Sequence, residues 1–177
     1  MDKIYSSSFG LVIAFLLPGF IAFYGMINWI GNFNIIYNNL FISSSFLGAF
    51  SLIIVISLIL GLIITSIKWV LYENILDKSQ TLDDDNFKNI GSNREKLIAF
   101  RAAVDEHYRY HQFWSNTSIA IFPSYVHIFI DLCNNHKYWF LILSLILFLS
   151  LEILLFFSAK EAKKKYIIRA KAISKGA

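Results

Sequence analysis

From Ser51 to Ile67 the chain reads SLIIVISLILGLIITSI, an apolar run without a single charge. With its flanks, from about Ser44 to Val70, the run is longer than the roughly 20 residues that a helix needs to cross about 30 Å of hydrocarbon. In such a solvent every backbone amide must be paired within its own segment, so the run predicts a helix. A soluble domain spreads its apolar residues at helical or strand spacing, whereas here they are bunched. Composition agrees: of 177 residues 56% are hydrophobic and only 16% are charged, against roughly 25% charged in ordinary soluble domains.

Three further stretches extend the pattern. The first, from about Phe9 to Ile30, opens with Ser6, Ser7 and Ser8 as helix-capping residues and has the core LVIAFLLPGFIAFYGMI. A cleavable signal peptide does not fit it. Its basic region is Lys3 alone beside Asp2, Pro18 and Gly19 interrupt the apolar run, and no A-x-A site follows. Pro18 removes one helix hydrogen bond, which predicts a kink or unwinding near Ala14. The third stretch, about Phe113 to Leu132, is diluted by Asn116, Thr117, Ser118, Pro123, Ser124 and His127. It is the weakest of the set, a span or a re-entrant segment on apolar length alone, with a second kink expected at Pro123. The fourth, Tyr138 to about Ser158, reads YWFLILSLILFLSLEILLFFS and is broken only by Glu152.

Orientation follows from the basic residues, because short translocated loops are poor in Lys and Arg. The segment Asn28–Ser43 has none and Asp131–Lys137 has only Lys137, whereas Glu73–Gln112 carries Lys78, Lys88, Arg94, Lys96, Arg101 and Arg109. Seven of the sixteen basic residues follow Ala159, so the +4 net charge speaks of topology rather than of nucleic acid. With insert and tail both inside, an even number of crossings is required. Trp29, Trp69, Tyr72, Tyr108, Tyr110, Trp114, Tyr138 and Trp139 fall where interfacial belts would place them.

The expected fold is therefore an all-α integral membrane bundle of four transmembrane helices with one cytoplasmic amphipathic helix. Residues 1–72 make the first hairpin, 73–112 a cytoplasmic insert, 113–159 the second hairpin and 160–177 a basic tail. In the insert, Ser92 and Glu95 have the spacing of a capping box. Leu97, Phe100, Val104, Tyr108 and His111 then recur at helical steps, predicting an amphipathic helix over about 93–112 that lies on or near the membrane surface. Both termini are placed in the cytoplasm, at a bacterial-type inner membrane.

Few residues offer chemistry. Glu152 lies roughly 12 Å, at 1.5 Å per residue, from the cytoplasmic end of its span. An acid at that depth faces the bundle interior, as interhelical glue or as a proton or ion carrier. At matching depth stand Asn116, Thr117 and Ser118 of the third stretch and Thr65 of the second, while His127 falls further out. Ser57, Gly61 and Thr65 recur every four residues as a stripe where another helix can approach. His107 and His111 stand four apart, a spacing at which two imidazoles can share a metal. Arg101 and His107 fit loosely an R-x(4 to 6)-H pattern of certain ribonucleases, and Asp83, Asp84 and Asp85 form an acidic run whose ordinary state is solvated. Lys163, Lys164 and Lys165, directly after the last span, suit anionic lipid. Cys133, the single cysteine, excludes an intrachain disulfide. There is no phosphate loop, G-x-S-x-G elbow or H-E-x-x-H, and no cofactor is expected.

Three segments, Leu17 to Phe20 (LPGF), Ile67 to Val70 (IKWV) and His107 to Phe113 (HYRYHQF), resemble a loosely defined group of small bacterial four-span membrane proteins of uncharacterised activity. In that group the last segment reads like H-Y-R-Y-Y-Q-F-Y, so His111 and Trp114 stand here in place of tyrosines. The resemblance covers about residues 9 to 125 and implies the four-span layout. The leading expectation is a non-enzymatic protein that associates with itself or a membrane partner, in a stress or phage-defence setting. The second is a small channel or transporter using Glu152. The third is a membrane-embedded metal enzyme at His107 and His111.

Overall fold

The computed structural model describes residues 10, 12–27, 29, 46–76 and 82–176, and among them the chain is all-helical. The Ser6–Ser8 cap, Lys78 and, apart from Trp29, the segment 28–43 lie outside the described residues.

Helix α1 spans Val12–Ile27. Its opening turn, Val12–Leu16, is π-helical, and the regular α-helix begins at Leu17. Pro18 is the reason on physical grounds: with no N–H it cannot serve the carbonyl of Ala14, and its ring crowds that turn. Helix α2 spans Phe46–Lys68 and continues through a π-helical stretch, Trp69–Leu76. The two helices cross at very short range through glycine. A Cβ placed on Gly19 would sit 1.8 Å from the Ser57 carbonyl oxygen, and one on Gly61 would sit 2.2 Å from that of Phe15. The stripe of small residues on α2 is thus the surface that receives α1.

In the insert, a short helix α3 (Asp84–Gly91) precedes α4 (Arg94–Ala103), which leads through a π-helical turn, Val104–Tyr108, into α5 (Arg109–Ala120). The cap of α4 differs from the expected box. Asn93 accepts from the Glu95 amide at 2.8 Å, while the Ser92 hydroxyl turns back to the Asn89 carbonyl at 2.8 Å. Asparagine in an extended conformation satisfies the free amide directly, so the Ser92–Glu95 pair is not used.

The third apolar stretch is two helices rather than one: α5 ends at Ala120 and α6 spans Phe122–Asn134. Pro123 is the second residue of α6, where a missing N–H costs nothing because first-turn amides have no intrahelical acceptor. The Trp29 indole donates to the Pro123 carbonyl at 2.8 Å, and Gly25 lets α1 approach Ser124 beside it.

Helix α7 runs unbroken over Tyr138–Lys175, about 57 Å at 1.5 Å per residue. The tail from Lys160 onward is therefore the continuation of the fourth apolar stretch, not a separate appendage. Its Ala159, Ile167, Ala170 and Ser174 are buried at steps of eight, three and four residues, and this face packs against α3, α4 and the π-helical turn before α5. The Tyr166 ring lies between those of Tyr108, at 5.1 Å, and Phe100, at 6.0 Å, tilted to both. Lys96 donates to the Ser174 carbonyl at 3.1 Å, and the Ser174 hydroxyl to Asn86 at 2.7 Å. The amphipathic helix therefore turns Phe100, Tyr108 and His111 toward α7. Leu97 of the predicted stripe stays exposed.

Two helices, through Phe50–Tyr72 and Tyr138–Lys175, are long and apolar enough to cross a membrane. Helix α1 is apolar but shorter.

Candidate functional site

Helix α5 occupies the centre of the bundle and touches α1, α2, α6 and α7. Its buried residues are polar almost throughout: His111, Gln112, Ser115, Asn116, Thr117 and Ser118. Buried polar groups must be hydrogen-bonded or they destabilise the fold, and two networks meet that need for several of them.

The first surrounds Asn116, which is wholly buried. Its amide nitrogen donates to the Ala14 carbonyl at 2.7 Å and to the Thr65 hydroxyl at 3.0 Å. Ala14 is the residue whose carbonyl Pro18 cannot serve, so a side chain from α5 supplies a donor to the backbone loosened in α1. Thr65 itself donates to the Gly61 carbonyl at 2.8 Å, which ties α1, α2 and α5 through one asparagine.

The second network reaches Glu152. The Tyr72 hydroxyl donates to Ser118 at 2.9 Å, and Ser118 donates to a Glu152 carboxylate oxygen. Three elements are joined: the π-helical end of α2, the last turn of α5, and α7. The Tyr72 ring also lies 5.9 Å from that of Phe156. Glu152 is only partly buried, because its outer side lines a groove of about 1040 Å³ between α2 and α7, floored by Ser118, Ile119, Phe122 and Pro123.

Lys68 is the largest of the fully buried side chains, 2% exposed, with its ammonium 5.9 Å from the centroid of the Tyr108 ring. A cation over an aromatic face recovers part of the interaction lost with water. Sequence reasoning singled out neither Lys68 nor Tyr72 as a site residue. The signal was available: Ser57, Gly61, Ile64, Lys68 and Tyr72 are all buried at steps of four, three, four and four, so extending the small-residue stripe by two turns reaches both.

The other candidates stand apart from these networks. His111 is buried with Nδ1 3.0 Å from the Ala159 carbonyl, and His107 is half-buried. Among the described residues no group of three or more His, Cys, Asp or Glu converges to hold a metal, so a metal shared by the two histidines would lack a third protein ligand of those types. Thr117 is buried with its hydroxyl unpartnered, as are the side-chain amide oxygen of Asn116 and the Ser57 hydroxyl. His127 is half-buried on α6 and Arg101 is exposed. Asp83 precedes α3 without capping it, and Asp85 lies 3.8 Å from Lys88 in an exposed pair. Lys163 is half-buried, Lys164 exposed, and Lys165 lies 3.7 Å from Glu161. Outside the apolar stretches, burial first and then the neighbouring Tyr108 push the Tyr166 phenol up to about 12.

No family model, curated protein or solved structure matches this chain.

Proposed function

We propose that this chain is a four-span inner-membrane protein of a bacterial cell, with both termini cytoplasmic, that acts by assembling with copies of itself or with a membrane partner rather than by catalysis. The observation that carries the reading is the state of α7. Of its most apolar eighteen-residue stretch only 6% is buried within the chain, and Trp139, Phe140, Leu147 and Phe157 are each more than 60% exposed. A surface so large and apolar is stable only against lipid or another apolar face. Helices α1 and α5–α6 supply the remaining two crossings in this layout. The broken α5–α6 is tolerable because α5, the polar half, is surrounded by protein.

The layout gives α3, α4 and the end of α7 a cytoplasmic role as one contact block. It also limits the lipid contacts of the tail. With α7 along the membrane normal, Lys171 and Lys175 stand about 18 and 24 Å beyond Ala159 at 1.5 Å per residue, more than the roughly 8–10 Å over which a surface potential acts. Anionic headgroups are therefore met by Lys160, Lys163, Lys164 and Lys165. A stress or phage-defence setting suits a protein of this kind, whose work is assembly.

The test is the mass of the purified full-length chain in lipid nanodiscs. A defined oligomer or a co-purifying membrane partner supports the proposal, and a monomer without a partner refutes it. Labelling of Cys133 by an impermeant thiol reagent from outside the inner membrane tests the orientation, since that residue follows the third crossing.

A further inference from the structure

We propose that the groove between α2 and α7 binds a lipophilic organic cation: a delocalised positive charge on an apolar or aromatic body, arriving through the bilayer. The proposal adds to the assembly reading and rests on it only for the membrane around the groove.

Helices α2 and α7 come together at one end, where Tyr72 meets Phe156, and part elsewhere over the floor made by α5 and α6. The space of about 1040 Å³ is at the upper end of the range of roughly 300–1,000 Å³ for small-molecule sites. Its walls are hydrocarbon and rings: Phe122, Phe148, Phe156, Phe157 and Tyr72 contribute aromatic surface, and Glu152 is the one charged side chain among them. The Tyr72–Ser118 hydrogen bonds fix the carboxylate from behind, so its remaining capacity is directed into the groove.

Charge complementarity selects the occupant. An acyl chain would fill the apolar volume but leave an acid, held only by the Ser118 hydroxyl, facing hydrocarbon with no counter-charge, an expensive arrangement. A metal ion would need several oxygen ligands where the groove offers one carboxylate. A second copy of α7 brings no cation to this depth, since no Lys or Arg lies between Tyr138 and Ala159. A delocalised cation meets every wall: the carboxylate neutralises it, the ring faces attract it, and its apolar body replaces lipid against the aliphatic side chains of α2.

The experiment measures equilibrium binding of tetraphenylphosphonium to the full-length chain in nanodiscs, with empty nanodiscs as blank and neutral triphenylphosphine oxide as competitor. Saturable binding is expected, weakened at least tenfold by Glu152→Gln and unaffected by the neutral competitor. Ile63→Trp, which fills the groove from its half-exposed wall and leaves the acid in place, is expected to weaken binding comparably. It decides the matter if Glu152→Gln fails to fold, as judged by thermal unfolding in the same discs. Equal binding by wild type and the folded variants, or equal displacement by the neutral compound, overturns the proposal. So does a disulfide between copies through Leu60→Cys that tetraphenylphosphonium does not suppress, because the groove would then hold a second chain. Particle mass is read separately, so a monomer that binds the cation refutes the assembly reading alone, and an oligomer that does not bind it refutes this one alone.

Discussion

Gly19→Ala adds one methyl group where, of the described glycines compared, the backbone of a neighbouring helix comes nearest, and the structure sets its cost. The new Cβ would lie 1.8 Å from the Ser57 carbonyl oxygen and 2.7 Å from its carbon, whereas ordinary contact begins at 3.4 Å. The obstacle is backbone, which no rotamer change can remove, so α1 and α2 must separate by about 1.6 Å, taking 1.8 from 3.4. A gap of half to one ångström already forfeits about a quarter to a half of each dispersion contact. Overpacking of this kind costs about 1–3 kcal/mol, and the need to move a whole helix puts this site at the upper end. Alanine returns about 1 kcal/mol through its better helix propensity. The net expectation is a loss of about 2 kcal/mol. Gly91 is the control, because a Cβ there meets nothing within 4 Å; Gly91→Ala is expected to change stability by less than about 0.5 kcal/mol or to raise it slightly. The assay is reversible unfolding in mixed micelles by a rising fraction of denaturing detergent, followed by tryptophan fluorescence. Equal midpoints for the two variants would refute the close-crossing argument.

Four further outcomes are expected. Asn116→Val removes the donor to the Ala14 carbonyl and to Thr65, and is expected to lower stability by about 0.6–1.7 kcal/mol, the range of interhelical hydrogen bonds in bilayers; Thr65→Val, which leaves the Ala14 bond in place, is expected to cost less in the same assay. Because Tyr166 is raised from 10.0 to about 12 by burial, the unfolded chain releases this proton first. The stability from the protonated phenol is complete below pH 10 and is lost as pH rises toward 12, so Tyr166→Phe should flatten alkaline unfolding in that window. The Arg169–Glu106 pair, 2.9 Å apart but about half exposed on both sides, should be worth less than about 1 kcal/mol, as measured by thermal unfolding of Arg169→Gln. Deleting residues 164–177 uncovers Phe100 and Tyr108 and unties Lys96 and Asn86, and should speed tryptic cleavage in 88–101, read by mass spectrometry of the fragments.

The parts of the fold legible in the sequence were those set by lipid-length apolar runs. The helices through Phe50–Tyr72 and Tyr138–Lys175 follow from hydropathy alone, and the widened turn before Pro18 follows from one missing N–H. Depth matching along the helices brought Ser118 near Glu152, since equal rise per residue puts equal distances from an interface at equal depth. What the sequence hid was anything decided by partners. Tyr72 read as an interfacial residue because a phenol ordinarily marks a membrane boundary, and Lys68 carried no reading of its own, yet the close crossing at Gly19 and Gly61 turns their shared face inward. The tail read as a separate basic segment because its charges end the apolar run. Its Ala159, Ile167, Ala170 and Ser174 face nonetheless continues the helix and finds a second surface to cover.

Helix α5 gives these differences a common cause. Hydropathy measures preference for an apolar solvent, and a helix packed against its neighbours over most of its surface meets side chains instead, so its sequence is free to be polar wherever a side chain has a donor or acceptor to reach. Asn116 answers the carbonyl that Pro18 leaves unserved, and Ser118 joins Tyr72 to Glu152. The low hydropathy of the third stretch is thus the expected signature of a helix packed among others. The same reasoning distinguishes the two polar networks. The one around Asn116 is enclosed and acts on the backbone of α1, so its removal should change stability. The one ending at Glu152 opens on a groove, so the acid can be exchanged for its amide with the Ser118 bond retained, and the loss should fall on whatever the groove holds.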